Sequence, residues 1–501
     1  MVLENLEPKL VWQIFEEVFT KTPRESKKED KIRAKIVSFV QERAAALDVD
    51  IKVIEDVTGN VLIKAPATSG MESTKSLLLQ GHMDMVCETD RPEGFDFDND
   101  PIPVRIQDNG EWVDADGTTL GADNGIGSSI ALSLLLDPEV THGPLEVLIT
   151  VDEETGLVGA FGLDPEKMGI ESKLMVNIDS EDLGIITIGS AGGGDTTLSK
   201  ALEKRDVTGL ATFYELSVSG LFGGHSGVNI HEPRANANKL IAKMLSVLVS
   251  AMNVHLCSWN GGSKHNAITR EARAVFAVES GKSEDAEKHL EKTREDILDY
   301  WFAATEGASP LEPDIKVSLE KTRPASAFSL EESAMIVQTI SIIPHGPIRF
   351  SPNVDGLVET SNNLAVVKTD GSEVSILLST RSSVDTELEG FRQRISDLAS
   401  LSEWNVAKTP AYPGWAPKPT SPFLQFVKKH FESLTGKEVK VEAIHAGLEC
   451  GIVGARIPGI QMVSIGPRME NAHTPDERVR IADVGMLYNL MKAMLNDLPN
   501  L

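Results

Sequence analysis

Residues 77–86 read LLLQGHMDMV, an apolar run that ends in a glycine and continues with a histidine and an aspartate two positions apart. Alternate side chains of an extended chain project to the same side, so His82 and Asp84 share one face of the strand. An aspartate in that position can orient a metal-bound imidazole, but a buried His–Asp pair can also be a satisfied polar pair of a core. The stretch predicts a buried strand that ends at a metal site or at such a structural pair.

Length and composition restrict the class of protein. The 501 residues, of which 41% are hydrophobic, are enough for two compact domains. The formal charge of −27 and the lack of a basic stripe argue against a nucleic-acid partner. We expect a cytoplasmic protein with no membrane partner, because no apolar stretch of about 20 residues and no export signal is present. The cysteines, Cys87, Cys257 and Cys450, are too far apart for a Cys-rich metal site.

The pattern of predicted elements changes along the chain. Helical patterns at about 8–19, 29–47 and 124–136 alternate with apolar strands such as LEVLITV and LMVNID, which predicts an α/β domain with a mixed sheet flanked by helices. After the glycine-rich stretch IGSAGGGDTTL, which suits a connection, strands such as ATFYELSVSG and NAITREARAVFAV predict an α+β domain with an antiparallel sheet. The proline-rich stretch AKTPAYPGWAPKPTSP reads as the return linker. We therefore expect a catalytic domain split into residues 1–193 and 410–501, with residues 194–409 inserted.

Four further stretches place acids or histidines after predicted strands or ahead of a helix. They are GTTLGADNGIG with Asp123, LITVDEETG with Glu153 and Glu154, LMVNIDSED with Asp179, and ENAHTPDERV with His473. Open α/β sheets bind their ligands at the carboxyl ends of strands. Each residue also has a structural interpretation: a helix cap, a solvated strand end or an ordinary loop histidine.

Together these residues form a set that divalent cations accept. Four ligands and one bridging carboxylate would complete two half-open metal sites, and the set is His82, Glu154, Asp179 and His473 with Asp123 as the bridge. Neighbouring side chains at a strand end diverge, so one glutamate can bind metal while the other faces the substrate. Glu153 is then the candidate general base.

The ordered motifs GHMDMV, GADNGIG, DEETG, NIDSED, GGHSG and NAHTPDERV resemble those of the dinuclear zinc peptidases of the M20 family. The resemblance extends along nearly the whole chain, through HSGVNIHEPRANANKL, HNAITREA and HAGLECG, and is greatest to the aminoacyl-histidine dipeptidase branch. It implies two zinc ions, with cobalt or manganese as substitutes, bound by His82, Asp123, Glu154, Asp179 and His473. In the same comparison Asp123 bridges the ions, Asp84 orients His82 and Glu153 is the general base.

The resemblance also implies that the inserted domain is a lid or dimerisation domain and that the protein is a homodimer. His225 of GGHSG resembles the histidine that polarises the scissile carbonyl, although it could also be a loop histidine bonded to backbone. Asn266 and Arg381 are the groups that we assign to the substrate carboxylate, since a guanidinium binds carboxylate bidentately; Arg381 could also be a surface ion pair. His445 and Glu449 of HAGLECG resemble a substrate-side loop.

The predicted function is therefore a zinc dipeptidase that hydrolyses Xaa-His and related small peptides, similar to carnosine, with a water molecule shared by the two metals. One alternative is an M20-type aminopeptidase or deacylase that acts on other small amides. A second is a metal-bound interaction scaffold without catalysis. Glu153 argues against the scaffold, because a binding protein has no need of a base beside its metals.

Overall fold

A computed structural model describes residues 1–207, 209, 211–302, 309–323 and 325–501. The chain divides into two compact units: residues 1–189, 417–443 and 448–501 form unit 1, and residues 190–416 and 444–447 form unit 2. None of the helices in the described ranges is long and apolar enough to cross a bilayer. The predicted domain limits, and the role of the inserted domain as a lid or dimerisation domain, stay predictions.

The helices are α1 Lys9–Ile14, α2 Asp30–Leu47, α3 Ala122–Leu136, α4 Val158–Gly162, α5 Pro165–Met168, α6 Ala237–Ala251, α7 Ser283–Trp301, α8 Leu330–Ile342, α9 Asp385–Ser400, α10 Pro422–Thr435, α11 Glu449–Arg456 and α12 Ile481–Asp497. The strands are β1 Lys52–Glu55, β2 Val61–Ala65, β3 Leu77–His82, β4 Val104–Ile106, β5 Trp112–Ala115, β6 Leu145–Thr150, β7 Leu174–Asn177, β8 Ile185–Ser190, β9 Gly192–Ala201, β10 Ala211–Ser219, β11 Val254–Gly261, β12 Ala272–Glu279, β13 Lys316–Lys321, β14 Gly346–Phe350, β15 Val358–Asp370, β16 Glu373–Ser382, β17 Asn405–Lys408, β18 Lys440–Ile444, β19 Gln461–Ser464, β20 Met469–Glu470 and β21 Arg478–Arg480.

Unit 1 is built on an eight-stranded mixed sheet with the order β1-β2-β6-β3-β7-β19-β8-β18. Its centre is parallel, because β3 pairs in parallel with β6 and β7, and β19 pairs in parallel with β7. All residues of β3, β6 and β7 are buried, which explains their largely apolar sequences. The observed unit confirms the prediction of an α/β fold with a mixed sheet.

The carboxyl ends of these parallel strands lie at one edge of the sheet, and the predicted site residues follow them. His82 ends β3, the acidic run 152–154 follows β6, and Asp179 lies two residues after β7. His473 follows β19 further along the chain. This edge of unit 1 is therefore where the metal-site hypothesis can be tested.

Unit 2 contains a nine-stranded antiparallel sheet in which β13, β10, β12, β11, β15, β16, β9 and β17 are neighbours in that order, and β14 pairs with β15. Helices α6, α7, α8 and α9 contribute apolar side chains to its core, among them Leu245, Leu290, Ile336 and Phe391. Unit 2 therefore has a hydrophobic core of its own, and the prediction of an α+β layer with an antiparallel sheet is confirmed.

Two stretches differ in local structure from what the sequence suggests. The glycine-rich stretch IGSAGGGDTTL contains the passage from unit 1 to unit 2, between Gly189 and Ser190, but it is strand and not loop, because only Ala191 separates β8 from β9 and the glycines at 192–194 lie within β9. The strand predicted at NAITREARAVFAV begins only at Ala272, since the preceding segment hydrogen-bonds elsewhere. The carbonyl of Asn266 accepts from the Ser226 N–H, and that of Thr269 accepts from the Ala237 N–H at the start of α6.

Candidate active site

Asp123 lies between two histidines of unit 1 and contacts one with each carboxylate oxygen. Its Oδ1 is 3.1 Å from Nε2 of His82, and its Oδ2 is 3.1 Å from Nε2 of His473. The backbone of Asp123 is not helical (φ −78°, ψ 113°), but among the described residues its carboxylate oxygens accept no backbone N–H, so the interpretation of Asp123 as a helix cap does not hold. A carboxylate whose two oxygens face different imidazoles has the geometry of a bridging ligand.

Each histidine has a second carboxylate neighbour. Oδ1 of Asp179 is 3.5 Å from Nε2 of His82, and Oε2 of Glu154 is 3.0 Å from Nε2 of His473. The five side chains thus divide into two groups of three that share Asp123. In each group, one imidazole nitrogen and two carboxylate oxygens converge.

This arrangement fits divalent cations. Oε1 of Glu154 and Oδ1 of Asp179 are buried and accept no hydrogen bond from the residues that the structure describes, which leaves them free for a cation. The bonds to Asp123 and Glu154 raise the pKa of His473 to about 11, and although burial opposes it, the carboxylates around His82 raise its pKa as well. The cluster therefore favours additional positive charge, and its mixed nitrogen and oxygen donors match zinc and similar metals.

Asp84 contacts both His82 and the backbone of the loop that carries Glu153 and Glu154. Its Oδ1 is 3.3 Å from Nδ1 of His82 and accepts the backbone N–H of Glu153 at 3.0 Å, while its Oδ2 accepts the Glu154 N–H at 3.3 Å. Burial would raise the pKa of Asp84, but its bonds with His82 and these donors lower it to about 2. One ionised carboxylate therefore orients both a proposed ligand and the loop that carries the two glutamates.

Glu153 differs from its neighbour in having no partner. Among the described residues, no side chain or backbone group hydrogen-bonds its carboxylate, and it lies in no ion pair. Burial, together with the surrounding carboxylates, raises the pKa of Glu153 well above its ordinary value. A half-buried carboxylate with an increased affinity for protons has the properties of a general base.

Two charged residues that were not singled out from the sequence hold the Asp123 loop. The buried carboxylate of Glu477 accepts the backbone N–H groups of Leu120 and Gly121 at 2.9 Å and that of Asp123 at 3.2 Å.

The buried guanidinium of Arg24 donates to the carbonyls of Met83, Asp84 and Gly121. Glu477 follows His473 in ENAHTPDERV and could have been suspected, whereas nothing in the sequence marks Arg24.

Glu449 lies in the same unit, at the start of α11. Its Oε2 accepts from Nε2 of Gln80 at 2.6 Å and from Oγ1 of Thr150 at 2.7 Å, and its Oε1 is buried without a hydrogen-bond partner in the part of the chain that the structure describes. Burial raises the pKa of Glu449 to about 7. Because Gln80 is on β3 and Thr150 ends β6, Glu449 joins the two strands that lead to His82 and Glu153.

In unit 2, hydrogen bonds determine which nitrogen of His225 carries the proton. Nδ1 accepts the backbone N–H groups of Gly227 at 3.2 Å and Val228 at 3.1 Å. Burial, with the charge of Arg381, lowers the pKa of His225 and keeps the ring neutral. A neutral imidazole has one donor nitrogen, so the proton is on Nε2. Nδ1 of His225 is therefore bonded to backbone, as in an ordinary loop histidine, whereas the N–H group at Nε2 is available to donate to a substrate.

A chain of polar contacts fixes the backbone of this loop. The N–H of His225 donates to Oδ1 of Asn229 at 3.0 Å, Nδ2 of Asn229 donates to Glu232 at 2.7 Å, and Glu232 accepts from Nε of Arg234 at 2.8 Å. Nη1 of Arg234 donates to the carbonyl of Gly223, two residues before His225. The stretch HSGVNIHEPR therefore holds its own histidine in place.

Arg381 is a buried cation without a counter-ion. It is 7% exposed, and among the described residues no carboxylate lies within 4 Å of its guanidinium. Its Nη1 donates to Oη of Tyr412 at 2.9 Å, and its Nε has no hydrogen-bond partner in the described ranges. The interpretation of Arg381 as a surface ion pair is thus excluded, and the guanidinium can accommodate an anion.

The remaining predicted residues of unit 2 lie on neighbouring segments. His445 is buried, and its Nε2 is 2.7 Å from Oγ of Ser361; burial, followed by the charge of Arg381, lowers its pKa to about 3. Asn266 is beside the histidine loop, since its carbonyl accepts the Ser226 N–H at 2.8 Å. His225, Arg381, Asn266 and His445 thus all belong to unit 2, while Glu449 belongs to unit 1.

The fold and the acidic, histidine-containing site of unit 1 are those of a metal-dependent hydrolase. Residues 78–497 match the model of peptidase family M20/M25/M40. The chain is 38% identical to the cytosol non-specific dipeptidase of Escherichia coli over 497 residues, 99% of each chain. It belongs to the M20 family and is a metallopeptidase, so the resemblance identified from the motifs is confirmed.

Solved structures agree with this assignment. The crystal structure of aminoacylhistidine dipeptidase from Vibrio alginolyticus matches with a TM-score of 0.91 and 35% identity, over 99% of this chain and 98% of that one. The aminopeptidase PepT from Bacillus cereus matches with a TM-score of 0.54 and 16% identity, over 98% and 99% of the two chains, which shows a shared fold alone.

Proposed function

We propose that the protein is a zinc-dependent dipeptidase that cleaves small peptides with a free carboxyl end, Xaa-His dipeptides among them. The division of the Asp123 oxygens between His82 and His473 is the observation that carries the proposal, because it is the geometry a two-metal centre requires. The substrate class rests on the two full-length relatives, which are named as a non-specific dipeptidase and an aminoacylhistidine dipeptidase.

In this proposal His82, Asp123 and Asp179 would hold one zinc ion, and His473, Asp123 and Glu154 would hold the other. Cobalt or manganese could replace zinc at such mixed sites. When bound, the two ions supply Lewis-acid polarisation of the carbonyl and make water acidic enough to be deprotonated near neutral pH. Asp84 is a positioning residue, since its bonds to His82 and to the 153–154 backbone set where the ligands and the base point.

Glu153 is the proposed general base. Its carboxylate accepts a proton from the attacking water and then delivers it to the leaving amine, so that no covalent intermediate is required. The lack of hydrogen bonds to its oxygens supports this role, because both oxygens remain available for proton transfer. Asp84 holds the base through the Glu153 N–H and leaves its side chain free.

His225 is the proposed donor to the scissile carbonyl. As negative charge develops on that oxygen, the proton on Nε2 can stabilise it, and the bonds to Nδ1 keep this tautomer in place. Arg381 is proposed to bind the substrate carboxylate, which would supply the anion that its guanidinium lacks. Asn266, His445 and Glu449 complete the set of residues that we assign to substrate binding.

We further infer that the protein acts in the cytosol, because the relative from Escherichia coli is named a cytosolic enzyme. The homodimer stays a prediction. Light scattering on the purified chain would give its mass in solution, and a mass equal to that of one chain would contradict it.

Hydrolysis of a peptide panel tests the proposed function. The panel contains Xaa-His and other dipeptides, a tripeptide, an N-acetyl dipeptide and a dipeptide amide, each with and without a chelator. We expect the free dipeptides to be cleaved fastest, loss of activity with the chelator, and recovery with zinc. Preference for the N-acetyl peptide would indicate a deacylase, preference for the tripeptide an aminopeptidase, and no cleavage of any member a scaffold.

The Arg381→Ala variant tests substrate binding. It should raise KM for free dipeptides by about 10-fold to 100-fold, since hydrogen bonds to charged groups are worth about 1.5–3 kcal/mol. The dipeptide amide should be affected much less. Arg394→Ala, which removes an exposed arginine from α9, is the matched control. Equal effects on free and amidated substrates would remove Arg381 from the carboxylate site.

A further inference from the structure

The glycine run at 192–194 and the proline-rich stretch after β17 meet in unit 2. The N–H of Gly193 donates to the carbonyl of Tyr412 at 3.1 Å, and the N–H of Tyr412 donates back to the carbonyl of Gly193 at 2.9 Å. This reciprocal pairing fixes Tyr412 against β9. The proline-rich stretch was predicted to be a linker, but its residue Tyr412 is held by backbone hydrogen bonds as a strand residue would be.

The ring of Tyr412 occupies space that a side chain at Gly193 would need. A Cβ on Gly193 would lie 2.6 Å from Oη of Tyr412 and 2.8 Å from its Cζ, closer than real carbon contacts allow. A Cβ on Gly447 would lie 3.2 Å from Cε2 of the same ring. Glycine at 193 is thus required by the aromatic ring that lies over it.

The position of Tyr412 leads directly to Arg381. Gly193 of β9 is the cross-strand partner of Arg381 on β16, so the ring that lies over Gly193 is beside the strand position of the arginine. Nη1 of Arg381 donates to Oη of Tyr412 at 2.9 Å. Because Oη accepts in this bond, its own proton remains, and no acceptor for it lies among the described residues.

We propose that Tyr412 is a specificity-determining residue that forms, with Arg381, a two-donor site for the carboxylate of the substrate. The guanidinium provides the positive charge and its remaining N–H groups, and the phenol provides a neutral O–H donor beside them. The bond between the two side chains also holds the guanidinium in one orientation, so less freedom is lost on binding. That the carboxylate belongs to a dipeptide rests on the proposed function.

Tyr412→Phe removes the hydroxyl and keeps the ring. For dipeptides with a free carboxyl end we expect KM to rise about tenfold, with kcat changed by less than about twofold, because the lost bond is to a charged group that does not react. The matching dipeptide amide should show nearly the same KM as with the parent enzyme. Tyr300→Phe, at a tyrosine that is 63% exposed on α7, is the control.

Gly193→Ala tests the steric part of the inference. The added methyl group should displace the ring and reproduce the KM effect of Tyr412→Phe, while thermal unfolding shows whether the variant is folded. In the Arg381→Ala background, Tyr412→Phe should have a smaller effect than it has alone, because both residues serve one carboxylate.

The outcomes separate the inference from the proposed function. If the parent enzyme cleaves no dipeptide, the proposed function fails and the inference with it. If the parent enzyme cleaves dipeptides but Arg381→Ala affects free and amidated substrates equally, Arg381 is removed from the carboxylate site and the inference alone fails. If the parent enzyme cleaves dipeptides, Arg381→Ala impairs the free ones selectively, and Tyr412→Phe leaves KM unchanged or raises it equally for the amide, only the role of Tyr412 is overturned.

Discussion

Two buried arginines of unit 2, Arg392 and Arg381, differ in whether a carboxylate of the protein lies beside the guanidinium. Arg392, 2% exposed, has an ion pair with Glu389 at 2.6 Å and donates to the carbonyls of Asp195 and Thr409. Arg381, 7% exposed, has the phenol of Tyr412 as its hydrogen-bond partner among the described residues. The Nε atoms of both arginines have no hydrogen-bond partner there, so the difference is that Arg392 has a carboxylate beside it and Arg381 has none within the described ranges.

Unit 1 shows a corresponding contrast between negatively charged side chains. Glu477 is a buried carboxylate satisfied by three backbone N–H groups, whereas Asp123, Glu154 and Asp179 have only histidines as charged partners among the described residues. Burying a charge without a partner costs free energy. Each unit therefore contains one site that a ligand of opposite charge would complete: cations in unit 1 and an anion in unit 2.

The largest expected effect comes from removing the carboxylate that the two metal groups share. Asp123→Ala should lose both metal ions and reduce activity to that of the chelated enzyme, because each half-site then keeps only two ligands. Metal analysis by mass spectrometry with parallel kinetics measures both quantities. Asp108→Asn, in an exposed turn, is the control, and two tightly bound ions in Asp123→Ala would remove Asp123 from the site.

Glu153→Gln should separate metal binding from catalysis within unit 1. The variant is expected to keep both ions and to lose about 10²–10⁴-fold in kcat, the usual cost of removing a general base. Glu166→Gln, on the exposed surface of α5, should behave as the parent does. A kcat near that of the parent enzyme in pure Glu153→Gln would refute the assignment.

The corresponding test of unit 2 is His225→Ala, for which we expect a decrease in kcat of about 10²–10³-fold, typical of a lost oxyanion donor. Metal content and thermal stability should stay near the parent values, because no proposed metal ligand is in unit 2. His289→Ala, at an exposed position of α7, is the control. If His225→Ala hydrolysed dipeptides at the parent rate, the unit 2 residues would not take part in the reaction.

Acid stability gives the smallest effect. The pKa of His445 is lowered from its ordinary value of 6.5 to about 3 in the folded chain, so the unfolded chain binds more protons between these values. The free energy of unfolding should therefore fall as the pH drops below 6.5, by at most about 1.4 kcal/mol per pH unit from this group. Denaturant unfolding should show a weaker pH dependence for His445→Gln than for the exposed control His289→Gln. An unchanged pH dependence in His445→Gln would contradict this account of His445.

The sequence was most informative where a residue's role depends on its own strand. The apolar runs before His82, Asp152 and Asp179 gave the central strands of unit 1, and the rule that ligands bind at their carboxyl ends gave the site. His225 and Arg381 depended on the resemblance to the M20 family, since neither residue stands out by local pattern.

Sequence reasoning failed where a role depends on long-range pairing. Arg24 and Glu477 act through backbone groups far along the chain, and no periodicity records such contacts. The glycines at 192–194 suggested a connection and not a strand, because the ring that requires Gly193 comes from Tyr412, more than two hundred residues later. Both errors have the same cause, because the role of these small or charged residues depends on a contact with a residue that is distant in the sequence.

Titration of the metal-free chain with zinc tests the central claim most directly. Chelated protein is supplied with increasing zinc while bound metal and dipeptide hydrolysis are measured in the same samples. We expect two ions to bind per parent chain, with activity that requires both, and no ion to bind tightly to Asp123→Ala. Full activity with one ion or none, or two ions bound equally tightly by the parent and by Asp123→Ala, would contradict a centre bridged by Asp123.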